Sequence, residues 1–233
     1  MMKESNKFAV SNITVCYAKI TNLPQSYIHS SGTAISFDLI KDNEIEVSFD
    51  FQNSSLSKQE AFELARSETY KIVYSIALQH KLHTECNPCH TTSWGNSVSS
   101  ERSCSISGKA AIALPTNIQL KLNDNLEKYE VVLEFFNQAL YYNEKAGKEK
   151  EVAFWIYFSL EALQTALYGK HNEHKLISEL IPVGSFDKEK LNAFKNSIGQ
   201  YHRHYKSSYK GKILTIKECL EIYQTILGYF VGK

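Results

Sequence analysis

No stretch of this sequence is long and apolar enough to span a bilayer. The most apolar segment, Val152 to Leu167, is interrupted by Glu161 and Gln164, whereas a spanning helix needs about 20 mostly apolar residues. The opening residues, MMKESNKFAV, lack the apolar run of a signal peptide. A glycine-rich phosphate loop is missing, and so is a serine nucleophile elbow. Neither an internal repeat nor a low-complexity tract is present. Net charge is nearly absent, at +1, so attraction to a polyanion has to come from a local patch. Cysteines number five; an odd count without signs of export reads as reduced thiols in a cytoplasm. What remains is an ordinary folded protein, 43% hydrophobic and 12% aromatic. Its 233 residues suffice for one large domain or two small ones.

The N-terminal half alternates with a period of two. Ile13, Val15 and Tyr17 alternate with polar neighbours, as do Ile35, Phe37 and Leu39, then Ile45, Val47, Phe49 and Phe51. Lys41-Asp42-Asn43 between the last two runs predicts a hairpin. Ser57 with Glu60 is a capping box that opens a long helix through Phe62, Ala65, Thr69, Ile72 or Val73, and Ile76. Residues 81–100, with Asn87-Pro88 and Trp94-Gly95-Asn96, read as a long exposed loop. Two further strands are expected at Cys104 to Ile106 and Ala110 to Leu114. Residues 1–118 are therefore expected to form an α+β unit: a small antiparallel sheet with one long helix.

From residue 119 to 233 the period becomes helical. Leu126, Tyr129, Leu133, Phe136 and Leu140 form one face, ending at Gly147. The segment from about Glu149 to Tyr168 is apolar nearly all round, so it should be central, with Gly169 as its C-cap. A short helix from about His174 to Ile181 ends at Pro182. Asp187 starts another, with Leu191, Phe194 and Ile198 inward. Thr215 with Glu218 caps the last, with Leu220, Tyr223, Ile226, Leu227 and Phe230 inward. This predicts an all-α bundle of four or five helices.

Between Lys190 and Lys217 there are seven Lys or Arg, two His and no acid. Tyr201, Tyr205 and Tyr209 recur every fourth residue and share a helical stripe. Cations, imidazoles and flat rings together attract phosphate and offer stacking faces, which suits RNA. Arg203, His204, Lys206 and Lys210, with Tyr201 and Tyr205, are the candidate contacts. A solvated face with snorkelling stems explains the same pattern without a ligand.

Within this patch lies Lys195-Asn196-Ser197-Ile198-Gly199-Gln200-Tyr201-His202. The order of helices and this basic-polar-spacer-His run together resemble the HEPN superfamily of helical ribonuclease domains, over roughly residues 122–233. That family's motif starts with Arg, so Lys195 is a departure. Six residues separate Lys195 and His202, the long end of the family's spacing. The resemblance implies metal-independent RNA cleavage in a bacterial toxin or phage-defence setting, with His202 as acid or base, Lys195 as electrostatic partner and Asn196 beside it. It also implies a homodimer through the helical unit. Glu161, on the apolar helix, is either a supporting carboxylate for the motif or an exposed edge. On a straight helix Lys195 and His202 share a face but stand about 10.5 Å apart along the axis. A bend at Gly199 or a two-fold dimer would unite them. His204 replaces His202 if the helix ends early. The alternative function is a catalytically inactive module on the same bundle that binds RNA or a partner.

A second cluster, His83, Cys86, Cys89 and His90, has zinc-ligand chemistry, and Cys86-x-x-Cys89 has the spacing of a zinc knuckle. A distant second pair is missing, so no metal is favoured, and an exposed loop with incidental Cys and His is the preferred reading.

Overall fold

The computed structural model of the chain describes residues 8–16, 18–91, 116–119, 126–183, 186–203 and 211–231, without the side chains of residues 8, 87–91, 116–119, 127, 183 and 203. It divides into two compact units, Met1–Ile76 with Thr84–Leu122, and Ala77–His83 with Asn123–Lys233. An N-terminal antiparallel sheet with a long helix precedes an all-helical region, as the two periodicities require.

In the first unit, strands β1 (Phe8–Val15), β2 (Ala18–Asn22), β3 (Tyr27–Ile28), β4 (Ala34–Lys41) and β5 (Glu44–Asp50) precede helix α1 (Lys58–His80). Strands β6 (Thr84–Thr91) and β7 (Thr116–Gln119) follow. Five strands form one antiparallel sheet in the order β3-β4-β5-β1-β6, while β2 pairs with β7 in parallel. Alternation sets the buried face: Ala9, Ser11, Ile13 and Val15 of β1, and Ile45, Val47 and Phe49 of β5, are all buried. The β4–β5 turn is the two residues Asp42 and Asn43, and the carbonyl of Asn43 accepts from Val15 N–H at 2.9 Å. The capping box of α1 forms in both directions, Ser57 N–H to Glu60 and Glu60 N–H to Ser57 Oγ. Tyr27 donates to the buried carboxylate of Glu68, which also takes the Lys71 ammonium at 2.7 Å.

Residues 84–91 overturn part of the expected loop. They form β6 against β1, and the Asn87-Pro88 pair that signals a turn lies at a bulge. Asn87 stands opposite Asn12 and His90 opposite Val10, so Pro88 and Cys89 together face Ser11. Proline has no N–H to donate, and a bulge is where a strand tolerates it. Pairing with a distant strand overrides local turn chemistry here. Tyr17, the strands expected at 104–106 and 110–114, and the Trp94-Gly95-Asn96 turn lie outside the described residues.

Between β3 and β4 the backbone at Gly32 has φ +83°, and an added Cβ would sit 2.7 Å from the Asn53 carbonyl oxygen. Left-handed strain and a backbone clash act together, so Gly32→Ala should cost about 2–4 kcal/mol. Gly169 has φ +70° but open space around it, so Gly169→Ala should cost only about 1 kcal/mol. Urea denaturation of the two variants checks the difference.

The second unit contains α2 (Glu130–Asn143, entered by a 3-10 turn at Glu127–Tyr129), α3 (Glu149–Tyr168), α4 (Glu173–Leu180), α5 (Lys188–Arg203) and α6 (Ile216–Val231). Helix α3 packs against α2, α5 and α6, the central place its composition predicts. Gly169 ends it, its N–H donating to Thr165 at 2.8 Å. Helix α4 starts one residue earlier than expected because Asn172 caps it, accepting from Lys175 N–H. Its apolar run continues past Leu180 as a 3-10 turn, Ile181–Val183. The core holds a fully buried polar chain: Tyr223 Oη donates to Ser159 Oγ at 2.7 Å, which donates to the Val132 carbonyl at 2.6 Å. Among the described residues no helix is long and apolar enough to cross a membrane.

The Thr215–Glu218 box at α6 also forms, and Lys212 joins it at 2.7 Å. The Lys212 ammonium and the Thr215 donors hold the Glu218 carboxyl down at about 2, from an ordinary 4.5. A depressed carboxylate stabilises above its unfolded pKa and loses that contribution as pH falls through the folded one. The contribution should therefore fade between about pH 4.5 and about pH 2. Comparing the urea midpoints of wild type and Glu218→Gln across that window measures it, and the variant should show the shallower fall.

Candidate functional site

Helix α5 carries the motif. Asp187 caps it by accepting from Lys190 N–H at 2.6 Å, and Leu191, Phe194 and Ile198 anchor it inward. Ser197 Oγ donates to the Ala193 carbonyl and accepts from Leu214 N–H at 2.8 Å. One motif position thus fixes the chain just before α6, while Lys195 is exposed and Asn196 half-buried. The helix runs unbroken through Gly199 to Arg203, so the separation of Lys195 and His202 along the axis stays close to two turns.

A pocket of about 480 Å³ opens among α3, α4 and α5. Its floor is apolar, with Leu160, Leu176, Phe194 and Ile198. Lys195, Asn196 and Gly199 come to it from α5, Tyr157, Glu161 and Gln164 from α3, and His171 and Glu173 from the start of α4. The structure therefore brings together three residues singled out in sequence: Lys195, Asn196 and Glu161. The Lys195 ammonium forms an ion pair with Glu173 in which both side chains are partly exposed. Asn196 Nδ2 donates to the Asn192 carbonyl at 2.7 Å. Glu161 Oε1 accepts from the Tyr157 hydroxyl, and His171 Nδ1 lies 4.0 Å from the same oxygen.

His202 does not line this pocket but stands beside it. Its ring stacks on Tyr157, with centroids 5.2 Å apart and planes 19° from parallel. Phe154 tilts against it at 5.2 Å and Phe158 meets it at 6.4 Å. The imidazole is half-buried. Tyr157 links the two parts, since it holds His202 on its ring and Glu161 on its hydroxyl. Sequence reasoning missed Tyr157, although Tyr157 and Glu161 are four apart on a helix and so face each other. It also missed His171 and Glu173, which reach the pocket from another helix and leave no local signal.

The remaining candidates separate. Tyr201 is half-buried, and burial pushes its phenol above the usual value. The side chain of Arg203, and all of His204, Tyr205, Lys206 and Lys210, lie outside what is described. In the zinc cluster, His83 is buried, 3.3 Å from Asn137 Oδ1 and with its ring 4.9 Å from that of Tyr141, both on α2. Cys86 sits in β6 opposite Ile13, and the side chains of Cys89 and His90 are not described. Among the described residues no three His, Cys, Asp or Glu side chains converge as metal ligands would.

Neither a family model, nor a curated protein, nor a solved structure matches this chain.

Proposed function

We propose that the helical unit is a HEPN-type domain that cleaves single-stranded RNA without a metal ion, with His202 as the general acid or base. The observation that carries this reading is Tyr157. It joins the imidazole at the end of α5 to a pocket that already holds the motif's Lys195 and Asn196. A half-buried imidazole on an aromatic shelf is oriented and remains within reach of solvent. A histidine can take up or give back a proton as a 2′-hydroxyl attacks the adjacent phosphate. Lys195 supplies positive charge toward the phosphorane oxygens, and a bound phosphate competes with Glu173 for it. Phe154, 36% exposed and in contact with His202, offers apolar surface for a second copy. A two-fold partner there would bring both motifs to one cleft, within the toxin or phage-defence setting that the resemblance implies.

The Lys195–Glu173 pair favours a second reading, a catalytically inactive module whose cation is already neutralised and which binds RNA or a partner. A labelled single-stranded RNA incubated with the full chain in EDTA separates the two. The nuclease reading expects wild-type cleavage that disappears in His202→Ala. Intact RNA under every divalent-ion condition leaves the binding module.

A further inference from the structure

A second cavity, about 460 Å³, lies in the N-terminal unit between α1 and strands β1 and β6. That size falls in the range of small-molecule sites, roughly 300–1,000 Å³. One stripe of α1 overhangs it, including Phe62, Glu63, Arg66 and Tyr70, and Ser11 of β1 lies on its other side.

Among the described residues Ser11 is one of five with a buried, unpartnered polar side-chain atom, and the one of them that lines this cavity. It is 1% exposed, on a strand face it shares with Ala9, Ile13 and Val15. Among the described residues its Oγ has no hydrogen-bond partner. A buried hydroxyl without a partner is costly, and folding alone would favour an apolar residue at that position. The hydroxyl is explained if something entering the pocket completes it. The mouth carries both signs of charge. Glu63 and Arg66 are three apart on α1 and so neighbour one another. The Glu63 carboxylate is steadied by Gln59 Nε2 at 2.8 Å, and the Arg66 guanidinium carbon lies 5.6 Å from the centre of the Tyr70 ring. Opposite charges at that spacing match a ligand whose ammonium and carboxylate sit on one carbon. Phe62 and Tyr70 offer aromatic surface to a ring, and Tyr70 itself stacks on Tyr74 at 5.5 Å.

We propose that this pocket binds a free aromatic amino acid of tyrosine type. Its carboxylate meets Arg66, its ammonium meets Glu63, its ring lies along Phe62 and Tyr70, and its hydroxyl reaches Ser11. The site is independent of the RNA reading and gives the N-terminal unit a sensing role of its own.

The test uses the full chain with four probes: L-tyrosine, L-phenylalanine, tyramine (no carboxylate) and desaminotyrosine (no ammonium). Calorimetry should rank L-tyrosine first, with each of the other three weaker by about 10-fold or more. L-tyrosine should raise Tm at millimolar concentration. Ser11→Ala should raise the Tm of the unliganded protein, because an orphaned hydroxyl is gone, and should erase the preference for tyrosine over phenylalanine. Arg66→Gln, a surface change that leaves the core intact, should weaken tyrosine and leave tyramine unaffected. Absence of binding by both amino acids overturns the proposal. Equal binding by the single-charge analogues overturns it too, as does a tyrosine preference that survives Ser11→Ala.

Discussion

Replacing His202 by Ala should lower RNA cleavage by about 10²- to 10⁴-fold, the usual contribution of a positioned acid or base. The same change also removes a ring that packs on Tyr157, Phe154 and Phe158, so lost activity alone does not identify chemistry. His202→Phe separates the two effects. It keeps a flat ring on the aromatic shelf and removes the transferable proton. Its rate should fall as far as that of His202→Ala, while its thermal midpoint stays within a few degrees of wild type. Tyr157→Phe is the complementary change. It retains the stacking surface and deletes the hydroxyl held by Glu161, so its rate should fall by no more than about 10-fold. A His202→Phe protein that cleaves at the wild-type rate would remove His202 from the catalytic role, whereas RNA left intact by the wild-type chain would leave the binding module.

Truncating Tyr223 to Ala should cost the helical unit about 3–5 kcal/mol, as losing a large buried ring does. Tyr223 is fully buried, with its ring between Phe136, edge-on at 5.8 Å, and Phe194, parallel at 6.3 Å. Burial drives its phenol far above the ordinary value, so the hydroxyl is a neutral donor at any working pH. Tyr223→Phe isolates that donor. Ser159 keeps its own bond to Val132, so the loss should be about 1 kcal/mol. Ser159→Ala should cost more, about 1–3 kcal/mol, because it strands the Tyr223 hydroxyl in the core. Urea denaturation followed by far-ultraviolet circular dichroism ranks the three. If Tyr223→Phe proves as damaging as Tyr223→Ala, the hydrogen bond outweighs the packing and this ordering fails.

Elements whose cause is local were legible in the sequence. Helix α3 spans Glu149–Tyr168, as its apolar run and Gly169 imply. The boxes at Ser57 and Thr215 mark helix starts through contacts only three residues long. Elements made by distant pairing were not legible. Strand β6 contains an Asn-Pro pair and exists because β1 lies beside it. Strand β7, Thr-Asn-Ile-Gln, has a single apolar residue and no periodicity to detect. The candidate site divides the same way. Glu161 is visible as a carboxylate on an apolar helix, and Lys195, Asn196 and His202 as a motif. Glu173, which pairs with Lys195, and Tyr157, which carries His202, become visible only once α3, α4 and α5 are assembled.

The parallel pairing of β2 with β7 has a consequence for synthesis. Strand β2 is complete at Asn22, but its partner ends at Gln119. The β4–β5 hairpin closes across two residues on a scale of about 1–10 μs. On a translating ribosome β2 instead waits roughly 5–20 s for its neighbour to emerge. Throughout that interval a nascent chain displays an open strand edge, the kind of surface that chaperones cover and that truncated fragments use to aggregate.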